Sequence, residues 1–266
     1  MTAIIDYFKK MKLYRLTLYC MVAIYIYAII VSNLGLTQYR PMQLIIALVA
    51  VVSVGVVANY LLAKIFGAKS NIESVLITLI ILLLIFPIGS SNDIVIAVLA
   101  GVLAIASKYL LTAERRHIFN PVALSAVAIS YLYTIAGATW WVGTPHILPM
   151  VVLAGLLIVW KMRAWKMVGT FIITIMVCTI VSNIIHPENS LSILSNWQFI
   201  FAHSAFLFFA FIMLTEPLTA PSIPKNRIYF AILVGLLYST IQLKVAQISL
   251  TPEMALVFGN IYAYLS

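Results

Sequence analysis

Charged residues are scarce in this chain of 266 residues: they make up 9% of it, whereas 64% of its residues are apolar. The mean hydropathy of +1.11 excludes a soluble globular domain, because too few polar side chains are available to cover its surface. The composition predicts an all-α polytopic membrane protein. We expect a single transmembrane domain over residues 1–266, in contact with membrane lipid.

Cysteine is nearly absent as well, with two residues in the whole chain. Cys20 and Cys178 lie in separate apolar runs, too few and too far apart for a cluster or a structural zinc, and we interpret them as packing residues. The sequence contains no Gly-x-Gly-x-x-Gly fingerprint and no Walker loop. No loop is long enough for a nucleotide-binding domain or an iron–sulfur ligand set. The chain is therefore not expected to bind a dinucleotide or an iron–sulfur cluster, and no catalytic or metal-binding residue is assigned.

Ten apolar segments predict transmembrane helices. Their approximate bounds are 14–34, 42–66, 72–86, 94–111, 121–136, 147–160, 167–185, 197–214, 228–243 and 252–265. Several are shorter than the ~20 residues that a perpendicular helix needs. Some of the spans are therefore predicted to be broken or half-buried.

Basic residues fall almost entirely in the loops on one side of these segments. Of the 16 lysines and arginines, only Arg40 and Lys244 lie in loops on the side opposite the N-terminus. The positive-inside rule therefore predicts a multi-pass protein of the bacterial cytoplasmic membrane, with both termini cytoplasmic. The formal net charge of +9 is then a topology signal and does not indicate nucleic acid. Lys108, near the end of the fourth segment, is expected to extend to the cytoplasmic face.

Prolines recur at matching places in the two halves of the chain. Pro87 and Pro217 end the third and eighth segments, 130 residues apart, and Pro121 and Pro252 open the fifth and tenth, 131 residues apart. Because five is odd, two such halves have opposite orientations. We expect inverted half-repeats over about 14–136 and 147–265, with a site at their interface, where helices are interrupted.

The segment 215–221 follows the eighth span and is the first candidate site. Prolines one and five residues after Glu216 prevent the helix from continuing. Irregular backbone at this depth is tolerated only against protein or a wet cavity. The candidate binding residues of the segment are Thr215, Glu216, Pro217 and Thr219. His203, inside the eighth span, is predicted to hydrogen-bond across helices or to line a ligand cavity.

The start of the fifth span is the second candidate site. Pro121 suits a first helical turn and Asn120 can cap it, which leaves a positive dipole end. Arg115 and Arg116 precede it, so an anion or phosphate site is one interpretation. The other is a capped helix with positive-inside anchors.

Together the two segments resemble a known family. His117-Ile-Phe119-Asn-Pro121, followed by Met213-Leu-Thr-Glu-Pro-Leu-Thr-Ala-Pro221, is similar to the NqrB/RnfD family, the integral membrane subunits of the Na⁺-translocating NADH:quinone oxidoreductase and of the Rnf complex. That family has a Phe-Asn-Pro helix start and a Thr-Asp-Pro-x-Thr-x-Pro segment, where this chain has Glu216 in place of Asp. Residues 252–260 also fit the family's C-terminal end. The resemblance is strong over 116–121 and 211–260 and weak over the first hundred residues.

The resemblance implies a ten-helix electron-transfer subunit that carries flavin. In the family, FMN is joined through its phosphate to the threonine of a Ser-Gly-Ala-Thr motif, and this chain offers Ala136-Gly137-Ala138-Thr139. Covalent FMN at Thr139 is thus implied, but Ala136 replaces the serine and Tyr133 occupies the usual Asp position. A flavin transferase that reads the acid would leave Thr139 unmodified. Riboflavin or another flavin bound non-covalently is the alternative.

Two indoles follow Thr139 directly. Trp140 and Trp141 could stack on an isoalloxazine ring and exclude water from it. Equally, a tryptophan pair at this depth is typical of an interfacial belt, and the sequence favours the belt.

The implied function is electron transfer within a redox complex. A cytoplasmic FAD/iron–sulfur oxidoreductase subunit would supply electrons from NAD(P)H, and a quinone or an outer-face FMN protein would receive them, with or without coupled ion transport. Because the two faces are ~30 Å apart, an intermediate cofactor is expected between them. The alternative is a channel or transporter of the same architecture, urea- or ammonium-like or riboflavin-binding, without redox activity.

Overall fold

The computed structural model describes residues 8, 10–113, 116–133, 137–185, 193–202, 205–243 and 250–266. Within them the chain is helical apart from short connections and a minimal hairpin, whose strands β1 (Thr112–Ala113) and β2 (Arg116–His117) pair antiparallel. The helices are α1 Leu13–Asn33, α2 Pro41–Ile65, α3 Ile72–Ile85, α4 Ser91–Leu110, α5 Pro121–Leu132, α6 Leu148–Met162, α7 Trp165–Ile185, α8 Ile193–Ala202, α9 Phe206–Phe208, α10 Pro224–Leu243 and α11 Pro252–Leu265. A 3-10 turn spans Trp141–Gly143, and a π-helical turn spans Phe209–Met213.

Each predicted span contains helix in the structure. The largest differences are in the fifth span, where α5 ends at Leu132, and in the eighth, which is divided into α8, α9 and the π-helical turn. Four helices in the described part of the chain, α1, α2, α4 and α7, are long and apolar enough to cross a membrane, whereas α3, α5 and α6 are shorter apolar helices. The structure thus confirms the all-α polytopic class, with short helices where broken spans were expected.

Helix α3 lies inside the bundle and ends abruptly. Its 14 residues include ten buried ones, and it packs against α1, α2, α4 and α5. Asn71 caps its start by accepting a hydrogen bond from Ser74 N at 3.3 Å. Pro87, two residues after its last residue, has no N–H to continue the helix. The C-terminal end of α3 lies inside the protein, where its backbone polar groups need partners, whereas Ile72 at its start is exposed.

The helices of the two halves pack in the same order. In the first half α1 packs on α3, α2 on α4 and α4 on α5; in the second, α6 packs on the π-helical turn, α7 on α10 and α10 on α11. Contacts of α1 with α6 and of α5 with α11 join the halves. The division into half-repeats 14–136 and 147–265 stays a prediction, and the packing order is the pattern that such a division requires.

Candidate functional site

The first group of polar side chains lies where α5 begins. Asn120 is 3% exposed, and its Oδ1 accepts a hydrogen bond from Ala123 N at 2.9 Å, with Pro121 in the first helical position. This is the N-cap that the Asn-Pro pair predicts. The start of α5 therefore follows from local sequence alone.

The other polar groups of Asn120 bind residues that are distant in sequence. Its Nδ2 donates to Glu216 Oε2 at 2.6 Å, and its backbone N–H donates to Asn260 Oδ1 at 2.8 Å. Asn260 Nδ2 donates to Thr219 O at 3.2 Å, and Thr219 Oγ1 donates to Glu216 Oε2 at 3.3 Å. The ring of hydrogen bonds closes on itself and joins α5, the segment 215–221 and α11. We call these four residues the Asn120 network.

The segment 215–221 is irregular, as its prolines predict. Thr219 N and Ala220 N both donate to Glu216 O, at 3.3 and 2.9 Å, which turns the chain back. Thr215, 1% exposed, donates through Oγ1 to Phe211 O at 2.6 Å. The π-helical turn directly precedes the segment, and such turns occur frequently at functional sites. Pro217 is exposed.

Arg116 binds this segment through its guanidinium. Its Nη2 donates to Ala220 O at 2.6 Å and its Nη1 to Ser222 Oγ at 2.9 Å, while Arg227 Nε donates to Pro221 O at 2.8 Å. The N–H groups of both arginines therefore bind oxygen atoms of the protein's own chain. Arg115 lies outside the described residues. The geometry of Arg116 favours the capped, anchored helix over the anion site, and Phe119 is half-buried.

Lys108 does not extend to the surface, contrary to the expectation from sequence. It is 9% exposed, and its Nζ donates to Ser74 O at 2.8 Å and to Ser74 Oγ at 2.9 Å. Ser74 lies in the first turn of α3. A buried ammonium needs such acceptors, and the first turn of α3 supplies them.

His117 lies on β2, three residues before Asn120. Its Nδ1 is 3.2 Å from Thr112 Oγ1 across the hairpin. Burial, with a smaller contribution from the positive charge of Lys108, lowers the pKa of His117 from 6.5 to about 4. The ring is therefore neutral at physiological pH.

This shifted pKa predicts a pH dependence of stability. As pH falls below 6.5 the unfolded chain binds a proton at His117, whereas the folded chain binds it only near pH 4. The His117 contribution to stability is therefore expected to fall between these two values and to level off below them. Thermal unfolding in detergent at about pH 7.5 and about pH 5 measures it. His117→Gln should show a smaller drop, and an equal drop in the two proteins would contradict the assignment.

The second group of residues surrounds a cavity at the other end of α3. The cavity has a volume of about 550 Å³, within the ~300–1,000 Å³ of small-molecule sites. Its lining residues are Gln38, Tyr39, Gln43, Gly89, Thr139, Trp140, Trp141, Gly143, Thr144 and Pro145. None of them is charged. A smaller cavity of about 50 Å³ borders Glu216.

Thr139 and Trp140 complete the end of α3. Their backbone N–H groups both donate to Ile85 O, at 2.8 and 2.9 Å, which satisfies a carbonyl that the interrupted helix leaves free. Thr139 itself is exposed. Trp140 has a φ of 51°, a left-handed conformation that costs a residue other than glycine about 1–3 kcal/mol. Gly137 and Ala138 precede this turn, Ala138 packing against the core.

The two indoles are anchored inside the protein. Trp141 is 4% exposed, its Nε1 donates to Leu83 O at 2.8 Å, and it meets Tyr39 edge-on at 5.3 Å. Trp140 Nε1 donates to Glu253 Oε1 at 2.7 Å. The lipid-facing belt is therefore wrong for Trp141. Burial is the main cause of a raised pKa for Tyr39, so its phenol is protonated at neutral pH.

Several residues of the cavity were not singled out from sequence. Gln43 Nε2 donates to Gly89 O at 2.6 Å, and a Cβ on Gly89 would lie 3.3 Å from Tyr39, so glycine lets the two loops approach. A signal existed: Gln38, Tyr39 and Gln43 lie in or beside the short polar connection between the first two apolar segments. Glu253 and Asn260 were not predicted as site residues, although polar residues in an apolar helix indicate contacts between helices.

The Asn120 network and the cavity beside Thr139 are separated, along the helices that join them, by less than the thickness of a bilayer. Glu253, which binds Trp140, and Asn260, which binds Asn120, are both on α11. They are separated by about 10 Å of helix rise, and Ser74 and Ile85, at the two ends of α3, by about 16 Å. Measured along these helices, the two groups are closer than the ~30 Å between the faces of a membrane.

The exposure of Thr139 and the residues around it are compatible with a flavin at this position. The side chain is exposed, it borders a cavity of adequate volume, and Trp140, Trp141 and Tyr39 line that cavity. His203 and Ala136 lie outside the described residues. Among the described residues no group of three or more His, Cys, Asp or Glu side chains could hold a metal.

The apolar helices, the interrupted spans and the two sites define a polytopic α-helical membrane protein. Residues 142–264 match the model of the NQR2, RnfD, RnfE family, so this part of the chain is similar to that family. The match covers α6 to α11 and includes Glu216, Glu253 and Asn260, but it begins after Thr139. No curated protein matches the chain. The match supports a membrane subunit of a complex of the Nqr or Rnf type.

Proposed function

We propose that the protein is a flavin-carrying electron-transfer subunit of an Nqr- or Rnf-like complex. The cavity beside Thr139 is the observation that carries the proposal. It combines the exposed residue Thr139, whose hydroxyl donates to Ile85 O at 3.4 Å, with three aromatic side chains, and it has room for a small cofactor. A flavin bound there would accept and release electrons. The residues present would supply an attachment point and an aromatic, uncharged wall.

The second site would serve the other end of electron transfer. Asn120, Thr215 and Glu216 border the smaller cavity, beside the segment that the Asn120 network holds in place. A quinone or a second, non-covalent flavin such as riboflavin is the proposed ligand of this site. Because the cavity of about 50 Å³ is smaller than the ~300 Å³ of small-molecule sites, its lining residues would have to move apart to admit the ligand. Because the two sites lie about 10–16 Å apart in helix rise, the need for an intermediate cofactor no longer follows from the thickness of the membrane.

The proposed partners follow from the absence of a dinucleotide fingerprint and of a long loop in the sequence. The cytoplasmic FAD/iron–sulfur subunit would dock on the side that carries most of the basic loops, and an outer-face FMN protein would meet the Thr139 side. Both termini would then be cytoplasmic in a bacterial inner membrane. Any ion transport coupled to electron flow is proposed for the whole complex and is not assigned to residues of this chain.

In-gel flavin fluorescence of denatured protein tests the covalent site. Protein co-expressed with a flavin transferase is expected to fluoresce, and Thr139→Val should abolish the signal, because valine has the same shape without the hydroxyl. Thr144→Val, on the same cavity wall, is the matched control and should retain the signal.

Three outcomes separate the alternatives. Fluorescence lost only in Thr139→Val supports covalent FMN. Flavin released on denaturation, with no in-gel signal, supports a non-covalent cofactor in the same cavity. Protein without any flavin contradicts the redox proposal, and flux of labelled solute in liposomes would then support the channel or transporter.

A further inference from the structure

The hydrogen bond between Trp140 and Glu253 joins the cavity wall to a helix 113 residues further along the chain. Glu253 is the second residue of α11, after Thr251 as the N-cap and Pro252. A carboxylate in a first helical turn interacts favourably with the helix dipole. Glu253 is nevertheless only 4% exposed, and a buried carboxylate requires hydrogen-bond partners. The indole N–H of Trp140 is such a partner.

Trp140 needs contacts that hold it in place. Its left-handed backbone conformation persists only where surrounding structure determines it. Its backbone N–H binds Ile85 O, and its ring lies 6.0 Å from the ring of Phe209. The hydrogen bond to Ile85 O fixes the backbone of Trp140. The packing contact with Phe209 does not determine the direction in which the indole N–H points. The bond of 2.7 Å to Glu253 Oε1 fixes that direction.

We propose that Glu253 is a positioning residue for the cavity beside Thr139. Its carboxylate sets the orientation of the Trp140 indole, and with it the wall against which a planar aromatic ligand lies. The identity of that ligand rests on the proposed function, whereas the positioning of the indole does not. Helix α11 thus shapes the first cavity through Glu253 while its Asn260 binds the Asn120 network.

Fluorine NMR of protein labelled with 5-fluorotryptophan reads this orientation directly. The chain has five tryptophans, and Trp140→Phe assigns the Trp140 resonance. Glu253→Ala should shift the Trp140 resonance and leave that of Trp141, whose indole donates to Leu83 O. Glu253→Gln keeps an oxygen acceptor and should restore most of the original position. This rescue separates positioning from a merely structural role.

Cysteine labelling at position 139 gives a second measurement that needs no flavin. Thr139→Cys, in a background with Cys20→Ala and Cys178→Ala, should react with a maleimide roughly tenfold faster when Glu253→Ala is added, the size expected from losing a hydrogen bond to a carboxylate. Adding Glu253→Gln should leave the rate near that of the parent.

Several results would overturn the positioning role. These are an unchanged Trp140 resonance and labelling rate in Glu253→Ala, equal shifts of all five resonances, or no rescue by Glu253→Gln. If Glu253→Ala does not fold, Trp140→Phe combined with Thr139→Cys must give the faster labelling instead. Absence of flavin from every variant would contradict the proposed function alone and leave this result standing.

Discussion

Asn120→Asp is expected to destabilise the protein by about 2–4 kcal/mol, because it removes the amide donor to Glu216 and places a second carboxylate beside it. Asn120 Nδ2 and Glu216 Oε2 are 2.6 Å apart. The aspartate can still accept from Ala123 N, so the N-cap of α5 is retained. The loss therefore reports on the Asn120 network and not on the helix start. Thermal unfolding in detergent should show a fall in Tm of about 5 °C or more.

Two further variants separate the causes. Asn120→Ser also keeps the cap but adds no charge, so it should cost only about 1 kcal/mol. Glu216→Gln combined with Asn120→Asp rebuilds the hydrogen bond with donor and acceptor exchanged, and should recover most of the stability. A double-mutant cycle measures this coupling. Additive losses for the two substitutions would mean that the bond between Asn120 and Glu216 does not hold the segment 215–221.

Local sequence was sufficient wherever one stretch of chain determines the structure. The Asn120-Pro121 pair predicted the N-cap of α5, and the prolines after Glu216 predicted the irregular segment. Apolar runs placed most helix ends within a few residues. Each of these features depends on backbone geometry within a few positions, which residue type fixes directly.

Contacts between distant segments could not be predicted in the same way. The bond of Trp140 to Glu253 and that of Asn120 to Asn260 each connect residues more than a hundred positions apart. Lys108 was expected at the surface, because sequence does not show that α3 begins beside it and offers the Ser74 carbonyl. The cavity at Thr139 also depends on a loop of the first half of the chain, which carries Tyr39. These features follow from helix packing, which a single sequence leaves undetermined.

Helix α6 packs closely against the π-helical turn, and this contact helps to fix the position of the segment 215–221 that follows the turn. Gly155 lies on α6, and a Cβ added there would lie 2.7 Å from Phe211 Cβ, closer than two carbons can approach. Phe211 is 6% exposed, and its carbonyl accepts the Thr215 hydroxyl hydrogen bond. Small residues are used in this way where membrane helices meet closely.

Gly155→Ala is therefore expected to destabilise the protein by about 1–3 kcal/mol, because the Cβ of Phe211 cannot move away without moving its backbone. The displacement should also reach Thr215 and Glu216. The affinity of the site beside Glu216 for its proposed quinone or flavin should therefore fall together with the stability of the protein. Gly169→Ala on α7 is the matched control: a Cβ there meets nothing within 4 Å, and alanine favours the helix by about 1 kcal/mol. Thermal unfolding of the two variants in the same detergent measures the difference. Equal Tm values would show that α6 and the π-helical turn are not in close contact, and that the segment 215–221 depends on its hydrogen bonds alone.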